Sequence, residues 1–396
     1  MANSSRLGRV VSLSTVHHGH DNRVFNKEAK ALVAAGHDYH LVISADRDRI
    51  DQGVPVVALH REEGRVRRLV VSQREAWRHL QALQPEVLHI HDPELIPLAL
   101  VWRWRHHCKV IYDAHEDLIG QVDTKPYLGA VTRPLAKMAA RGLVGLAERS
   151  ADAVVAATPT VGERFRRASV TVVRNYPWLG NYTVPPKPVP GQLVYVGDLS
   201  EERKLSFMIE VTRTVRKQVP QAHLVLAGRV LPRCQETVEH AVAEGFVEHL
   251  GLVAPTEVPQ VLASAQVGLV FLKPLPNYVA SLPTKLFEYM ASRVPFAASD
   301  FPAWREMFDG YGAGIFVDTE DAAATADALS ELLADPQRCR EMGCAGRRAV
   351  ESGLNFESQA EALIDLVAGL LEGLFPGPVP GQQLVESPPP FPASVW

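Results

Sequence analysis

The chain has 396 residues, 46% of them hydrophobic and 22% charged, a length that suits two α/β domains and a composition that excludes disorder over most of it. A net charge of −4 argues against a dedicated nucleic-acid binder, and no apolar run reaches the roughly 20 residues of a membrane span. Residues 1–9 are polar and lack the apolar segment of a signal peptide, which predicts a cytoplasmic protein. Cys108, Cys234, Cys339 and Cys344 are scattered, and none pairs at zinc-clip spacing, so they read as reduced thiols. Charge is unevenly distributed: residues 1–190 hold 26 Lys+Arg against 19 Asp+Glu, a net +7, which leaves −11 for the remainder. A basic first half suits an anionic acceptor or an acidic membrane surface, or is a solvated surface without a partner.

In chain order, short apolar runs at 9–13, 39–43, 54–59, 87–91, 109–113 and 153–157 read as strands. Between them, helical patterns cover 22–36, 74–83, 95–105 and 135–149. In the first of these, Val24, Phe25, Ala29, Leu32 and Val33 recur at helical spacing and Gly36 is a natural stop. The strands are continuous rather than alternating runs, as in a parallel sheet buried on both faces. Pro177, Pro185, Pro186, Pro188 and Pro190 interrupt the rhythm and predict an interdomain linker. Strands then resume at 193–196, 222–227, 267–271, 296–298 and 315–317. Helices are expected from 205 and over 238–243, 285–291, 321–333 and 356–374, and the Pro- and Gly-rich residues 376–396 read as disordered. The expected division is 1–175, a linker at 176–191, 192–355, a terminal helix at 356–375, and the tail. Both domains are predicted to be doubly wound and Rossmann-like, binding ligands at the carboxyl ends of their strands in a deep cleft.

Two motifs in the second half carry chemistry. In Ser281-Leu-Pro-Thr-Lys-Leu-Phe-Glu-Tyr-Met-Ala291, Pro283 suits a first helical turn, whose free amides, with Lys285, suit a pyrophosphate. One turn on, Glu288 can accept two hydrogen bonds from the vicinal hydroxyls of a ribose. In Tyr195-Val-Gly-Asp-Leu-Ser-Glu-Glu-Arg-Lys204, Gly197 permits a tight turn after a strand, and Arg203 and Lys204 are cationic donors for phosphate. Alone, each could be an ordinary exposed helix start or solvent-facing pair.

Together, and with Phe25-Asn-Lys-Glu-Ala, Gly36-His37, Leu88-His-Ile-His-Asp-Pro-Glu94, Tyr112-Asp-Ala-His-Glu116, Asn175-Tyr-Pro177 and the run from Leu286 to Asp300, they resemble the GT-B-fold retaining glycosyltransferases of family four, over about residues 8–375. The resemblance implies two Rossmann-like domains with a C-terminal helix crossing back to the first. It implies a UDP- or GDP-sugar donor, no permanently bound cofactor, and an acceptor that is a small molecule, lipid or glycan. Donor-binding residues would be Gly197, Arg203, Lys204, Gly228, Arg229, Leu252, Val253, Leu282, Pro283, Thr284, Lys285 and Glu288. The resemblance puts His115 and Glu116 at the catalytic position, and Asp21, Arg23, His91 and Asp92 toward the acceptor.

Two positions depart from the family pattern. Asp198 stands where Arg commonly follows the glycine, and Ala280 stands where a Glu often lies eight positions before the helix Glu. Histidine and carboxylate at His89, His91, Asp92, His115 and Glu116 are residue types for zinc or iron. No helical His pair accompanies them, and the family works without a bound metal, so no metal site is expected and His89 reads as structural. His17, His18 and His20 are acceptor contacts or a plain exposed loop. Trp102-Arg-Trp-Arg105 suits peripheral membrane contact or two buried tryptophans. Alternatives of the same fold are a non-hydrolysing nucleotide-sugar epimerase, for which no acid/base carboxylate set is seen, and a non-catalytic nucleotide-binding protein.

Overall fold

A computed structural model of the chain describes residues 7–60, 68–123, 129, 132–279 and 281–373. Ala280 and the tail 376–396 therefore lie outside the described residues. The chain divides into two compact units, one of residues up to Asn175 with the segment from Phe356, the other from Tyr176 to Asn355.

The first unit is built on eight strands: β1 Arg9–His18, β2 Asp38–Ser44, β3 Arg49–Asp51, β4 Val54–Leu59, β5 Val87–Ile90, β6 Lys109–Ala114, β7 Ala153–Ala156 and β8 Ser169–Val172. They lie in the order β3-β4-β2-β1-β5-β6-β7-β8. Every pairing is parallel except β3 with β4. Strands β5 and β7 are buried at every position, as two-sided cover by helices requires. The C-terminal helix Phe356–Glu372 belongs to this unit, where Gln359 accepts the backbone N–H of Arg174 at 2.8 Å and Phe356 lies under the Lys27 ammonium.

The second unit holds β9 Gln192–Val196, β10 His223–Ala227, β11 Val247–His249, β12 Val267–Val270, β13 Phe296–Ser299 and β14 Gly314–Val317, all parallel, in the order β11-β10-β9-β12-β13-β14. In both sheets the order reverses beside the first strand of the unit, between β1 and β5 and between β9 and β12. Two neighbouring crossovers leave in opposite directions there and open a crevice at the carboxyl ends of the strands.

Three expectations need correction. The proline-rich stretch is no free linker. Tyr176 and Tyr182 are buried in the core of the second unit, and the N–H groups of Lys187 and Val189 donate to the carbonyls of Ala263 and Ser264 at 2.7 and 2.9 Å. The helix expected over 22–36 begins as a wide turn, Val24–Ala29, in which Asn26 N–H reaches Asp21 O and Glu28 N–H reaches Arg23 O, each at 3.0 Å, before tightening into Lys30–Ala34. Such i→i−5 turns gather at functional sites. Strands β3, β8 and β11 and the helix Pro336–Glu351 were absent from the pattern reading.

Candidate functional site

At the switch point of the second unit, β9 is followed by Gly197 with φ +143° and β10 by Gly228 with φ +145°. The two turns touch: a methyl group on Gly228 would lie 1.9 Å from Gly197 O. A methyl on Gly197 would lie 2.7 Å from Lys285 Cε and 3.0 Å from both Lys285 Nζ and Arg203 Nη1. A glycine is needed here for conformation and for room, because two cationic side chains lie over its face. Among the described residues neither Arg203 nor Lys285 forms an ion pair. Arg203 Nη1 donates to the Tyr195 hydroxyl at 3.3 Å, and the Lys285 ammonium stands over the Tyr195 ring. Burial, and then the like charge of Arg203, lower the Lys285 pKa. Both line a cavity of about 250 Å³ with Tyr195, Tyr278, Leu282, Pro283 and Thr284. The helix Thr284–Ala291 starts at this cavity, with Pro283 in the N-cap position and no side chain capping it. Glu288 is half-buried one turn further, and its charge raises the pKa of Tyr182, which burial already raises.

Not every expected donor residue joins this group. Lys204 adopts a left-handed conformation with φ +53°, which turns its side chain away from that of Arg203. Its ammonium donates to Thr319 O at 2.9 Å and Glu320 Oε1 at 2.5 Å. Half-buried Asp198 faces exposed Arg229, Oδ2 to Nη2 at 3.1 Å, so the departure at Asp198 neutralises another expected donor residue. Leu252 is 80% exposed in the loop after β11. That loop is tied to the β10 turn by Gly228 N–H to Gly251 O at 2.7 Å. Tyr195 and Tyr278 were not singled out from sequence; an aromatic immediately before a glycine turn was the available signal.

At the switch point of the first unit the carboxyl ends of β1, β5 and β6 gather a buried polar cluster. Arg23 makes a two-pronged pair with Asp113, Nη2 to Oδ1 at 2.7 Å and Nε to Oδ2 at 2.9 Å, and donates to Val173 O at 2.8 Å. Its Nε also lies 3.0 Å from Glu28 Oε1. His91 Nδ1 is 3.1 Å from Asp113 Oδ2, and the His89 ring stacks obliquely on His91. Arg23 holds the Asp113 carboxyl well below the usual range despite burial, and its own pKa is raised by Asp113. Burial raises Glu28 well above the carboxylate range and lowers His89 and His91. One guanidinium serves two carboxyls, which favours the charge on Asp113 and the protonated form of Glu28.

Arg23, His91 and Asp92, expected toward an acceptor, are all buried in this unit. Asp92 Oδ2 instead accepts Ser14 Oγ at 2.9 Å and Thr15 N–H at 2.6 Å, pinning the loop that leaves β1. Asp21 is placed as a loop organiser too, its Oδ1 accepting the N–H groups of Arg23 and Val24 at 2.8 Å each. Its Oδ2 takes His17 Nδ1 at 2.9 Å. Half-exposed above this floor, His17 and His115 meet edge to face at 5.0 Å, and His115 Nδ1 lies 3.7 Å from Asp113 Oδ2. Glu116 is not part of this group. It is exposed and accepts the side-chain amide of Gln121.

Glu28 and Asp113 were the residues that sequence reasoning missed. Glu28 sits four residues from both Val24 and Leu32, on the apolar face of its helical pattern, and a carboxylate there was the signal. Glu28, His89 and His91 offer ligand atoms within 4.8 Å of one another. A divalent cation among them would need Glu28 ionised and would lie against the Arg23 guanidinium, which disfavours a metal; among the described residues both Glu28 oxygens and both His89 ring nitrogens lack a hydrogen-bond partner.

Two doubly wound Rossmann-like units, with sites at their switch points, are the architecture of the GT-B glycosyltransferases. Solved structures of that kind match nearly the whole chain. Sucrose-phosphate synthase from Thermosynechococcus elongatus gives a TM-score of 0.70, covering 93% of this chain and 100% of that one at 17% identity. HepE from Anabaena, solved with UDP and glucose, gives 0.67 over 92% and 100% at 13% identity. By sequence, the family described as "Glycosyl transferase 4-like domain" matches residues 22–176, and "Glycosyl transferases group 1" matches 190–335. The chain belongs to the group 1 glycosyltransferases, family four, and is a glycosyltransferase. A relative 27% identical over 169 residues, the GDP-mannose-dependent alpha-(1-6)-phosphatidylinositol monomannoside mannosyltransferase of Mycobacterium tuberculosis (strain CDC 1551 / Oshkosh), is matched over 41% of this chain and 43% of its own length.

Proposed function

We propose that this protein transfers a hexosyl-type sugar from a UDP- or GDP-sugar to an acceptor hydroxyl with retention of anomeric configuration. Its setting is the cytoplasm of a bacterium, in glycoconjugate or secondary-metabolite synthesis. The observation that carries the donor site is the pair of cations, Arg203 and Lys285, over Gly197 without an ion-pair partner among the described residues. Two like charges so close are costly until an anion joins them, and a diphosphate brings at least two negative charges.

In this reading the Thr284 helix start and both cations hold the diphosphate, and Glu288 binds the ribose hydroxyls. Exposed Leu252, with Val253 and the Gly228 turn, receives the nucleobase. As the glycosidic bond breaks, the electron pair stays on the departing diphosphate oxygen, where Arg203 and Lys285 stabilise it. The acceptor hydroxyl attacks the vacated face of the oxocarbenium-like carbon and passes its proton to that oxygen, so no protein base is required. His115, with His17 at its edge, positions sugar hydroxyls. HepE with UDP and the GDP-mannose-dependent relative support both bases equally.

The test is thermal stabilisation against uridine and guanosine diphosphates and their sugars. A ligand at a hundred times its Kd adds about 2.7 kcal/mol. One base should shift the transition, and Glu288→Ala should remove the shift. No shift with any nucleotide overturns the donor site, and an inverted anomer in the product overturns retention.

A further inference from the structure

Of the two tryptophans in Trp102-Arg-Trp-Arg105, Trp102 is fully buried against Trp77 and Trp104 is 80% exposed. The helix that carries them, Ile96–His106, joins β5 to β6, and Thr132–Ser150 lies between β6 and β7. Both crossovers step the same way along the sheet, which places the two helices on one face of it. They share a core in which Trp102 is buried with Val144 and Ala147, and Arg103 Nη1 donates to Arg149 O at 3.0 Å. Their outward sides form one layer. On it Val101 is 51%, Leu135 57% and Met138 64% exposed, so together with Trp104 four large apolar side chains face water.

The charge of this layer is predominantly positive. With the neighbouring helix Gln73–Leu83, the three helices carry eight Arg and Lys against two Glu. Arg105 and Arg141 are exposed among the apolar residues. Beside Trp104, a cavity of about 560 Å³ is lined by Arg103, His107 and Lys109, and the first and last of these share the single carboxylate of Asp152. Exposed apolar side chains that leave water only against a partner, ringed by cations, demand a partner that is apolar inside and anionic outside. A bilayer with anionic headgroups has that cross-section, and Trp settles at its interface.

We propose that this two-helix face of the first unit is a docking surface for an anionic lipid bilayer, with Trp104 and Met138 entering the interface and Arg105 and Arg141 on the headgroups. The proposal deepens the transferase reading on its acceptor side and rests on it only there, since a docked enzyme meets membrane-borne acceptors.

The experiment is co-sedimentation of the full chain, without nucleotide, with vesicles of equal parts phosphatidylglycerol and phosphatidylcholine and with phosphatidylcholine vesicles. Binding is expected to the mixed vesicles and to fall with salt. Trp104→Ser with Met138→Ser should weaken it about tenfold or more, and Arg105→Glu with Arg141→Glu should remove the preference for phosphatidylglycerol. Both variants should keep the parent's melting temperature and its shift with nucleoside diphosphate, a readout that fails separately if the donor site is misread. Binding that is equal on both vesicles, or untouched by either variant, overturns the proposal. So does a concentration-dependent oligomer in light scattering that Trp104→Ser abolishes, because that assigns the face to a second copy of the chain.

Discussion

Arg23 and Asp113, ninety positions apart, form a two-pronged ion pair with both side chains buried, and that pair is the floor beneath His115. A buried pair stabilises less than its short distances suggest, because both ions lost their water. Removing one partner is different. Arg23→Ala leaves the buried Asp113 carboxylate with no cation but its His91 contact, and Asp113→Ala leaves Arg23 only Glu28, a carboxyl that burial pushes toward its neutral form. Each is expected to cost about 3–5 kcal/mol, read as a lower midpoint in urea unfolding. Loss of less than about 1 kcal/mol would mean that water reaches this floor.

The His17–Asp21 pair gives the loop after β1 a pH window. Burial alone would lower the His17 pKa, but the hydrogen bond and charge of Asp21 outweigh it and raise it, while the same contact takes Asp21 down to about 2. A raised histidine contributes stability that is complete below its unfolded value and lost as pH rises through its folded one. A depressed aspartate contributes stability that is present above its unfolded value and lost as pH falls toward 2. The contact is therefore strongest from about pH 4 to 6.5. In NMR, the His17 ring proton should titrate above 6.5 in the parent and lower in Asp21→Asn. An unchanged midpoint in that variant would remove Asp21 as the cause.

Adjacent cations make opposite predictions. Arg203 and Lys285 converge on Gly197, whereas Lys204 is engaged by Thr319 and Glu320. Arg203→Ala and Lys285→Ala should each weaken nucleoside-diphosphate binding about tenfold to a hundredfold, the range of a charge-assisted hydrogen bond. Lys204→Ala should leave affinity within about threefold and lower the melting temperature instead, through the lost contact to the Glu320 loop. Isothermal titration of the three variants decides it. Equal losses for Arg203→Ala and Lys204→Ala would mean that Lys204 swings over to the ligand.

This neighbouring pair also marks how far the sequence was legible. The alternation of strands and helices and the Gly197–Lys285 group follow from apolar runs, glycines and a Pro-Thr-Lys helix start, signals that are local, whereas the switch points wait on the strand order. What depends on backbone handedness or on a distant neighbour was not legible. A basic dipeptide does not announce that Lys204 is left-handed. Glu28 stands on the apolar face of its helical pattern, but nothing local says that β5, with His89 in it and His91 just beyond its end, meets that face. Trp102 and Trp104 alternate in sequence, but on a helix two positions turn about 200°, so one is core and the other surface. Strands β8 and β11 carry Ser169, Thr171, Glu248 and His249 among their few residues, so neither forms the continuous apolar run that marks the other strands.

Glu28 supplies a prediction in which removing a charge-bearing group does no harm. Burial raises its pKa well above the usual value, so the folded state favours the protonated acid. A carboxyl raised on folding contributes stability that is complete below its unfolded pKa and is lost as pH climbs through the folded one. Glu28→Gln copies the neutral acid in shape and cannot ionise. It should match the parent near pH 4 and equal or exceed it at pH 8. Glu28→Ala, which leaves His89 and His91 over a void, should cost about 2 kcal/mol or more at both. Chemical unfolding of the parent and both variants across that range is the measurement. A Gln variant that loses stability steadily relative to the parent as pH rises would mean that Glu28 is ionised in the fold, and that Arg23 carries both carboxylates.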